Sequence, residues 1–512
     1  MNRKKTLFII FASALYLVLL AILVLCEHAV PGANIRNYGD AVWYSLVTLT
    51  TVGYGDLFPV SAAGRIIGVV FILLSPVVIS AVIIAVISFI RGKVIPFFSM
   101  QALKGHDCSI FSCDNEAAEA LAGDILKNDP DSRIIFCGSE KAVKGSPFEN
   151  SNHRLYLSSD VLETASKLSQ QKKGRRVFLI SDDIYENYAN ARMLNGSGAD
   201  IRCRGEETYQ NGNVNYFNDF ECCARLFWHE HPLESGEKLL ILAGDGKTAQ
   251  ALLDQAVLIN CRTPFIRTVY HVFGNWEEYM DFHPQIVSYF SSGPEGNGRD
   301  EIIFHSEAWN KDHDLLKKAD RLIFCSDDPK ENADNYMKTK RNVACSARLF
   351  AAAQGCPLLQ DSFGDTRSIF TEDLVVKSSL DGFAKELHEK YSGLSAAGGP
   401  GWDELPLFLK NSNRAAADAI RTKIGILLGD GRDDDKQTRA DAYRVWSESA
   451  DKEPFRQNEH ERWMRFHYLY NWTQGPEKSE ELRTHPCLVS YELLPEEEKI
   501  KDDSAWEQLG RL

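Results

Sequence analysis

Two long apolar runs separate the N-terminal part of the chain from everything that follows. Residues 7–26 and 66–90 contain no charged side chain. As a helix, each run is long enough to cross the roughly 30 Å of a bilayer's hydrocarbon core. Between them, residues 41–50 form a short amphipathic segment that Asp40 can cap as a helix. The pattern predicts two transmembrane helices joined through a short third helix, within a membrane domain at residues 1–93.

Beyond this domain, short apolar strands alternate with helices. The alternation runs through residues 105–234, starts again, and continues through residues 235–393. Such alternation is typical of a doubly wound parallel sheet, so we predict two tandem α/β Rossmann-like domains. A glycine-rich joint at residues 395–401 then leads into a polar, mainly α-helical domain at residues 400–512. The predicted fold class is therefore multidomain: a two-helix membrane module, two α/β domains and a small helical domain.

Charge is distributed unevenly between these parts. Residues 1–93 hold seven Lys/Arg and three Asp/Glu, a net charge of +4, so with a total of −14 the rest of the chain carries −18. This acidity argues against a nucleic acid polymer as partner. Basic residues flank the apolar runs at 3–5 and 91–93, which places both termini in the cytoplasm by the positive-inside rule. The long first run, followed by a second, argues against a cleaved signal peptide.

The chemistry of the membrane domain is carried by the segment that follows the short helix. It reads TVGYG, formed by Thr51, Val52, Gly53, Tyr54 and Gly55. A dehydrated potassium ion must be surrounded by backbone carbonyl oxygens, and the two glycines accept the backbone angles that aim successive carbonyls at one axis. The alternative is a GYG turn between two unrelated helices.

In this setting, the TVGYG segment resembles the selectivity filter of two-transmembrane potassium channels. The resemblance implies a K+ site at residues 51–55 and a pore helix at 41–50 whose C-terminus favours a cation in the cavity. It also implies transmembrane helices at 7–26 and 66–90, in the inner (plasma) membrane of the cell. Because one subunit supplies one filter loop, the family assembly is a homotetramer.

The second apolar run contains a proline where such channels often have a glycine hinge. Proline removes one helical hydrogen bond and clashes with the preceding turn, so it kinks a helix. We interpret Ser75 and Pro76 as a gating hinge. The alternative is that the proline is merely tolerated, as prolines in membrane helices often are.

Two Rossmann-like domains directly after an inner pore helix resemble the regulator-of-potassium-conductance (RCK) domains of ligand-gated potassium channels. In those channels eight such units form a ring under the pore. The first domain lacks a glycine-rich turn at residues 112–116, so we expect no dinucleotide there. The second domain reads GDGKTA between a strand and a helix, which fits GxGxxA. Its candidate nucleotide-binding residues are Gly244, Gly246, Lys247 and Ala249.

The GDGKTA turn also has an interpretation without a ligand. The usual acidic ribose-binding residue is absent at the end of the next strand, so the alternative is a tight turn kept for packing. The acid pairs Asp182-Asp183 and Asp327-Asp328 could indicate calcium, but a helix cap with a solvated neighbour is the favoured interpretation. We predict no metal site besides K+ in the filter.

The C-terminal segment contains HPCLVSYELLPEEEKIKDD and resembles the ryanodine receptor-type (RyR) domain. That domain recurs in calcium-release channels and occurs as a single copy in bacterial proteins, some of which the resemblance links to nucleotide-type ligands. Aromatic rings could stack a base and basic side chains could hold phosphates. The candidate ligand-binding residues are Arg462, Trp463, Trp472, His485, Tyr491 and Lys499. The alternative is that the aromatic residues form a small helical core and the basic residues pair with nearby glutamates.

Together these patterns favour a ligand-gated, potassium-selective channel in which a small-molecule effector, of nucleotide type, biases opening. Two alternatives remain. The first is a membrane-tethered nucleotide-processing protein, although no catalytic constellation stands in a credible context and we expect no enzyme. The second is a channel whose RyR-type domain docks a protein partner.

Overall fold

The computed structural model describes residues 3–90, 107–137, 154–157, 160–168, 174–291, 299–343, 345–355, 359, 361–394 and 400–511. These residues form two compact units, Met1–Lys104 and Gly105–Leu512. Several sequence predictions lie outside the described residues: the linker at 92–104, the first strand's start at His106, and most of the joint at 395–401.

The first unit consists of three helices, α1 (Arg3–Glu27), α2 (Tyr38–Leu49) and α3 (Ala62–Phe89). A small apolar core joins them, in which the side chains of Leu23, Tyr44 and Phe71 are buried. Among the described residues, none of the helices combines the length and apolar character required of a membrane span. The two predicted transmembrane spans therefore stay predictions.

The short helix α2 begins three residues earlier than the predicted boundary at residue 41. Asn37 is its N-cap and accepts a hydrogen bond from the backbone N–H of Asp40 at 3.0 Å. Asp40 returns the bond, because its carboxylate accepts from the backbone N–H of Asn37 at 3.2 Å. This reciprocal capping box moves Asp40 from the expected cap to the first turn of the helix. The helix ends at Leu49, with Thr50 as its C-cap.

A buried carboxylate fixes the end of α1 against the start of α3. Glu27 is fully buried and accepts hydrogen bonds from the backbone N–H groups of Val60 and Ser61, both at 2.9 Å, and from the Ser61 hydroxyl at 2.6 Å. A Cβ on Gly64 would lie 2.2 Å from the same carboxylate, so glycine is required for this approach. The contact sets where α3 begins relative to the loop after α2.

The second unit opens with a seven-stranded sheet in the order β3-β2-β1-β4-β5-β7-β6. All neighbours are parallel except β6 and β7, which form an antiparallel hairpin. Its strands are β1 (Cys108–Phe111), β2 (Arg133–Cys137), β3 (Arg154–Leu157), β4 (Arg175–Leu179), β5 (Asp200–Arg204), β6 (Gln210–Asn211) and β7 (Val214–Phe217). Its helices are α4 (Glu116–Asn128), α5 (Val161–Leu168), α6 (Ile184–Leu194) and α7 (Asp219–Glu230).

A second, fully parallel sheet follows in the order β10-β9-β8-β11-β12-β13. Its strands are β8 (Leu239–Ala243), β9 (Val269–Phe273), β10 (Glu301–His305), β11 (Arg321–Phe324), β12 (Arg348–Ala352) and β13 (Ser362–Phe363). Its helices are α8 (Lys247–Ile259), α9 (Glu277–Phe282), α10 (Pro284–Ser291), α11 (His313–Lys318), α12 (Pro329–Asn342) and α13 (Thr366–Ile369). The prediction of parallel α/β sheets is confirmed. The sequence pattern also predicts a single helix from residue 329 to about 353, and this prediction was wrong, because residues 348–352 form β12.

The C-terminal part of this unit is mainly helical. Four short turns punctuate it: a π-helical turn Glu372–Val376 and 3-10 turns Ser379–Asp381, Trp402–Glu404 and Tyr491–Leu493. Its longer helices are α14 (Gly382–Leu394), α15 (Leu407–Asp418), α16 (Ile420–Leu428), α17 (Lys436–Glu448), α18 (Glu453–Leu469), α19 (Glu496–Lys501) and α20 (Asp503–Arg511). A two-stranded parallel pair, β14 (Thr473–Gln474) and β15 (Thr484–His485), follows α18.

One apolar cluster joins the two sheets and part of the C-terminal helices. It includes Phe178 of the first sheet, Leu240 of the second sheet and Phe466 of α18, all buried. Between the sheets, the indole N–H of Trp228 on α7 donates to the carbonyl of Leu252 on α8 at 2.9 Å. Because the core is shared, residues 105–512 form a single compact unit, and the predicted boundaries at 234/235 and near 400 stay predictions.

Candidate functional site

The TVGYG loop has a repeating backbone conformation. Thr51, Gly53 and Gly55 have positive φ values of 61°, 58° and 73°, whereas Val52 and Tyr54 do not. Left-handed residues at every second position rotate alternate peptide groups, which is the arrangement that carbonyl coordination of an ion requires. Glycine adopts this conformation without a steric penalty, and Thr51 adopts it against one.

Contacts from α2 hold this loop in place. The backbone N–H groups of Val52 and Gly53 both donate to the carbonyl of Val47, at 3.0 and 3.1 Å. The indole N–H of Trp43 donates to the carboxylate of Asp56 at 2.8 Å. The rings of Trp43 and Tyr54 are stacked, with centroids 6.1 Å apart and an interplanar angle of 6°. Asp56 directly follows the motif, but its role was not predicted from the sequence.

The two residues of the predicted hinge lie in an unbroken helix. Helix α3 continues through Pro76, and the Ser75 hydroxyl donates to the carbonyl of Leu49 at 2.8 Å. Ser75 is buried by this contact. The Ser80 hydroxyl donates to the Pro76 carbonyl at 2.7 Å, one turn further along. Ser75 therefore links α3 to the end of α2, and Ser80 links the next turn of α3 back to Pro76.

In the second unit, the GDGKTA turn passes very close to its neighbouring strand. Gly244 has a φ of +149°, and a Cβ there would lie 2.5 Å from the backbone nitrogen of Ser326. No side chain fits at that position. Ala249 is fully buried in the first turn of α8. Lys247 lies at the surface, where its ammonium group pairs with Glu206 at 3.2 Å.

An internal carboxylate occupies the start of α8. Asp327 accepts hydrogen bonds from the backbone N–H groups of Lys247 at 3.1 Å and Thr248 at 3.2 Å. A Cβ on Gly246 would lie 2.2 Å from the same carboxyl group. A phosphate bound to a GxGxxA turn uses the same N–H groups of a helix N-terminus. The geometry therefore matches the packing interpretation of this turn, with Asp327 in the place of a phosphate.

The paired acids act as caps, as the favoured interpretation predicted. Asp183 accepts from the backbone N–H of Tyr185 at 2.9 Å at the start of α6, and Asp328 accepts from that of Lys330 at 2.9 Å at the start of α12. The neighbour of Asp183 is not merely solvated, since Asp182 pairs with Arg204 at 3.1 Å. Among the described residues, no group of three or more His, Cys, Asp or Glu side chains is placed to hold a metal ion.

A cavity of about 400 Å³ lies between the two sheets, at the starts of α4 and α8 and at the ends of neighbouring strands. Its charged wall is mostly acidic, and one arginine faces four acids. These charged residues are Arg204, Glu116, Asp182, Asp219 and Asp327. Such a surface repels phosphate groups, so the cleft where doubly wound sheets usually bind nucleotides is unsuited to them here.

Three of the candidate residues in the C-terminal domain lie in its core. Arg462 is 4% exposed and donates to Glu459 at 2.5 Å. Trp472 is 3% exposed and stacks on Phe408 of α15, with ring centroids 5.0 Å apart. Tyr491 is 6% exposed. These contacts fit the interpretation in which the aromatic residues form a core and the arginine pairs with a glutamate.

The other candidate residues are only half-buried. Trp463 lies between two histidines, with ring centroids 4.0 Å from His467 and 4.9 Å from His485. The Lys499 ammonium lies 4.9 Å from the centroid of the Tyr491 ring and 3.9 Å from Glu496. Trp463 and His485 are thus in direct contact, whereas Lys499 packs on Tyr491.

The acids around Arg462 have strongly shifted pKa values. Burial acts to raise the pKa of Glu459, but Arg462 and Lys423, whose ammonium is 2.9 Å away, lower it to about 2. Burial and the nearby Glu459 charge raise the pKa of Asp502 to about 8. The cluster therefore holds one ionised and one protonated carboxyl group at neutral pH.

Comparison with known families identifies matches at the two ends of the chain. The family model described as "Ion channel" matches residues 6–92, and the model of the RyR domain matches residues 448–511. Both segments are those for which the motifs suggested the same resemblance. Each model covers well under half of the chain.

Individual relatives match short stretches of the chain. The potassium voltage-gated channel protein Shal of Drosophila melanogaster is 35% identical over 82 residues, which is 16% of this chain and 14% of that protein. A voltage-gated potassium channel of Aeropyrum pernix is 43% identical over 47 residues, 9% of this chain and 16% of that protein. The calcium-gated potassium channel TvoK of Thermoplasma volcanium is 46% identical over 43 residues, 8% of this chain and 12% of that protein. The matched segment thus spans about a sixth or less of these relatives.

Solved structures of the GsuK channel overlap more of the chain at low similarity. The ADP-bound structure is 13% identical, covers 73% of this chain and 99% of its own, and gives a TM-score of 0.34. The NAD-bound structure is 12% identical, covers 69% and 79%, and gives a TM-score of 0.30. These scores are too low to bear on the fold or on the ligand of this chain.

Proposed function

We propose that this chain is one subunit of a homotetrameric, potassium-selective channel that is gated by a small ligand bound to its cytoplasmic part. The conformation of the TVGYG loop carries the proposal. Positive φ values at Thr51, Gly53 and Gly55 support this function, because a filter needs alternating backbone conformations to present successive carbonyls to a dehydrated K+. The match of residues 6–92 to ion channels, and the names of the relatives, support the same assignment.

Exposure of the loop supports a tetramer. In the single chain, the side chains of Val52 and Tyr54 are 53% and 68% exposed. An ion site built from carbonyls needs one such loop from each of four subunits. Packing of four loops around one axis would cover these apolar surfaces. The channel would lie in the plasma membrane with two spans per subunit and both termini in the cytoplasm.

The acidic second unit would act as the regulator. A ligand shifts a conformational equilibrium by the difference between its affinities for the two states, and no catalytic step is needed. RCK-type organisation of the two α/β sheets and a sensory role for the RyR-type domain are parts of this proposal. The hinge would be at Ser75 and Pro76, where the hydrogen bond from Ser75 to the Leu49 carbonyl links α3 to the end of α2.

Ion flux into liposomes tests the proposal directly. The purified full chain would be reconstituted, and uptake of K+ and Na+ would be compared in the presence of nucleotides, calcium or neither. We expect strong preference for K+, which Gly53→Ala removes because alanine at a φ of 58° distorts the filter. Gly236→Ala, at an open surface position of the second unit, is the matched control. Uptake of Na+ equal to that of K+, or no uptake under any condition, would refute the proposal.

A further inference from the structure

A second cavity, of about 300 Å³, lies at the edge of the first sheet. We call it the basic pocket. Three segments of the second unit form its walls: the edge strands β5 to β7, the turns at residues 376–381 with the start of α14, and residues 402–414 of the C-terminal part. Its volume lies at the lower end of the range of roughly 300–1,000 Å³ found for small-molecule sites.

The charge of the basic pocket is opposite to that of the chain. Five cationic side chains and two acidic ones line it, whereas the whole protein has a net charge of −14. The cations are Arg202, Lys377, Lys385, Lys410 and Arg414, and the acids are Asp381 and Asp403. A concentration of positive charge in an otherwise acidic surface attracts anions selectively.

Three of these cations are already neutralised, and one of them is Arg202, which pairs with Asp200. Arg414 donates to both oxygens of Asp381, at 2.9 and 2.7 Å. Lys377 lies at the surface and pairs with Asp373 at 3.6 Å. The acid Asp381 is likewise fully engaged, since it also accepts from Arg225 at 2.9 Å.

Lys410 is buried without a counter-ion. It is 5% exposed, and its ammonium group donates to the backbone carbonyl of Asp403 at 3.1 Å. Within the described parts of the chain, no carboxylate lies within salt-bridge distance of it. Burial lowers the pKa of Lys410, and the neighbouring charges of Arg414 and Lys385 act in the same direction, while Asp403 and Asp381 oppose them. A buried cation in this state is stabilised by any anion that enters the pocket.

A second cation without a counter-ion lines the same cavity. Lys385 on α14 is half-buried, and the described residues give it neither a hydrogen bond nor an ion pair. Arg202 is not part of this set, because it pairs with Asp200 at 3.1 Å. Lys385 and Lys410 are therefore the two cations of the pocket that an anion would complete.

Aromatic rings line the same cavity. Tyr209 and Tyr216 are stacked, with ring centroids 4.3 Å apart and an interplanar angle of 8°. Trp402 is half-buried on the opposite segment, beside the helix that carries Lys410. Flat aromatic surfaces next to unpaired cations are the combination that binds a planar base attached to phosphate.

We propose that the basic pocket binds a nucleoside phosphate, with its phosphate groups on Lys385 and Lys410 and its base against Trp402. The ligand would join the edge of the first sheet to α14 and α15. The claim that the pocket binds a nucleoside phosphate is independent of the proposed function. The claim that this binding affects gating rests on the proposed function. It places the effector neither at the GDGKTA turn nor on the aromatic candidates of the RyR-type domain.

Calorimetric titration of the purified full chain with ADP tests the claim. We expect binding that weakens as salt is added, and a loss of roughly tenfold or more in affinity for Lys385→Ala and Lys410→Met, because each removes a charged partner of the phosphate. Trp402→Leu should weaken ADP binding but leave binding of inorganic pyrophosphate unchanged. Lys317→Ala is the control, because it removes an exposed lysine on α11 that does not line the pocket, and this variant should bind ADP like the natural protein.

The outcomes are distinct. Absence of ADP binding at millimolar concentration overturns the proposal, as does unchanged affinity in Lys385→Ala, a surface-accessible position whose loss leaves the buried network intact. If pyrophosphate and ADP bind with equal affinity and Trp402→Leu has no effect, the claim that the pocket recognises the nucleoside is overturned. ADP binding with the expected variants in a chain that carries no potassium flux would leave the pocket established and the proposed function refuted.

Discussion

The carboxylate of Asp327 caps helix α8, which begins at Lys247. Asp327 follows strand β11, and α8 follows the neighbouring strand β8. The carboxylate accepts from the backbone N–H groups of Lys247 and Thr248 at 3.1 and 3.2 Å. A phosphate at this turn would have to displace the carboxylate and would meet its negative charge. The relationship explains why a sequence that fits GxGxxA can serve packing alone.

Removal of this cap should destabilise the second unit. We expect Asp327→Ala to lower the free energy of unfolding by about 1 kcal/mol, the usual effect of losing a helix N-cap. Asp327→Asn keeps an acceptor oxygen and should retain most of the stability. The midpoint of chemical unfolding of the full chain in detergent measures both. An alanine variant as stable as the natural protein would show that the N–H groups are satisfied by water.

Gly244 should tolerate no side chain. In Gly244→Ala, the new Cβ would lie 2.5 Å from the Ser326 nitrogen, at a φ of +149°. The backbones of the turn and β11 would have to separate, and we expect a loss of at least about 2 kcal/mol, typical of overpacking combined with strain. Gly236→Ala is the control, because nothing lies within 4 Å of its Cβ position. Thermal unfolding of the two variants side by side would reveal the difference.

The parts of the fold that the sequence predicted well are those set by local pattern. Alternating apolar strands and helices predicted both parallel sheets, and the TVGYG motif predicted the left-handed positions at Gly53 and Gly55. In contrast, the β6–β7 hairpin was missed, although Asn211-Gly212 is a common hairpin turn and Gly212 has a φ of +61°. Two walls of the basic pocket depend on that hairpin and on helix α15, so the pocket could not be found from the sequence.

Burial of charged residues was also beyond the sequence. Helix α18 has no clear apolar face, and charged side chains such as Glu459, Arg462 and Arg465 are among its buried residues. Burial is possible because these charges are paired. Glu459 pairs with Arg462 on the same helix and with Lys423, and Arg465 pairs with Asp300. Sequence patterns report average polarity, whereas such pairing is decided by tertiary contacts.

If the TVGYG loop is the ion filter of the proposed channel, the hydrogen bond between Trp43 and Asp56 should support conduction. Trp43→Phe keeps a ring to stack on Tyr54 but removes the N–H that donates to Asp56 at 2.8 Å. Loss of one such bond is worth about 1 kcal/mol, so we expect the conductive filter to lose roughly fivefold in population. Potassium flux per reconstituted channel measures the change. Tyr16→Phe, which alters a hydroxyl contact to Ser45 outside the filter, is the control.

Asp502 should make the stability of the second unit depend on pH. Its pKa is raised from 3.8 to about 8 in the folded chain, so the folded state holds the proton more tightly than the unfolded state. Stability from this group is greatest below pH 4 and is lost as pH rises towards 8, by up to about 1.4 kcal/mol per pH unit. Asp502→Asn cannot ionise and should lose that slope, so its melting temperature should exceed that of the natural protein most clearly at pH 8. Parallel pH profiles for the two proteins would contradict the assignment.

The cluster of Arg225, Asp381 and Arg414 should contribute most to stability among the ion pairs near the basic pocket. Asp381 is 5% exposed and accepts from both arginines, and although burial acts to raise its pKa, the two guanidinium groups lower it to about 2. Asp381→Asn would leave Arg414 without its ion pair, while Arg225 would keep Asp418 at 2.8 Å, and we expect a loss of roughly 3 kcal/mol.

An exposed pair in the same segment provides the comparison. Asp373 and Lys377 lie 3.6 Å apart and are both 60% exposed, so Asp373→Asn should cost less than about 1 kcal/mol. The stabilisation of the folded chain by the ionised Asp381 is present above pH 4. It should disappear as pH falls through 2, because Asp381 is then protonated in both the folded and the unfolded state. Urea unfolding at neutral pH measures the loss of stability in each of the two variants. Similar losses in both would mean that Asp381 is solvated and that the buried cluster does not hold α7 and α15 together.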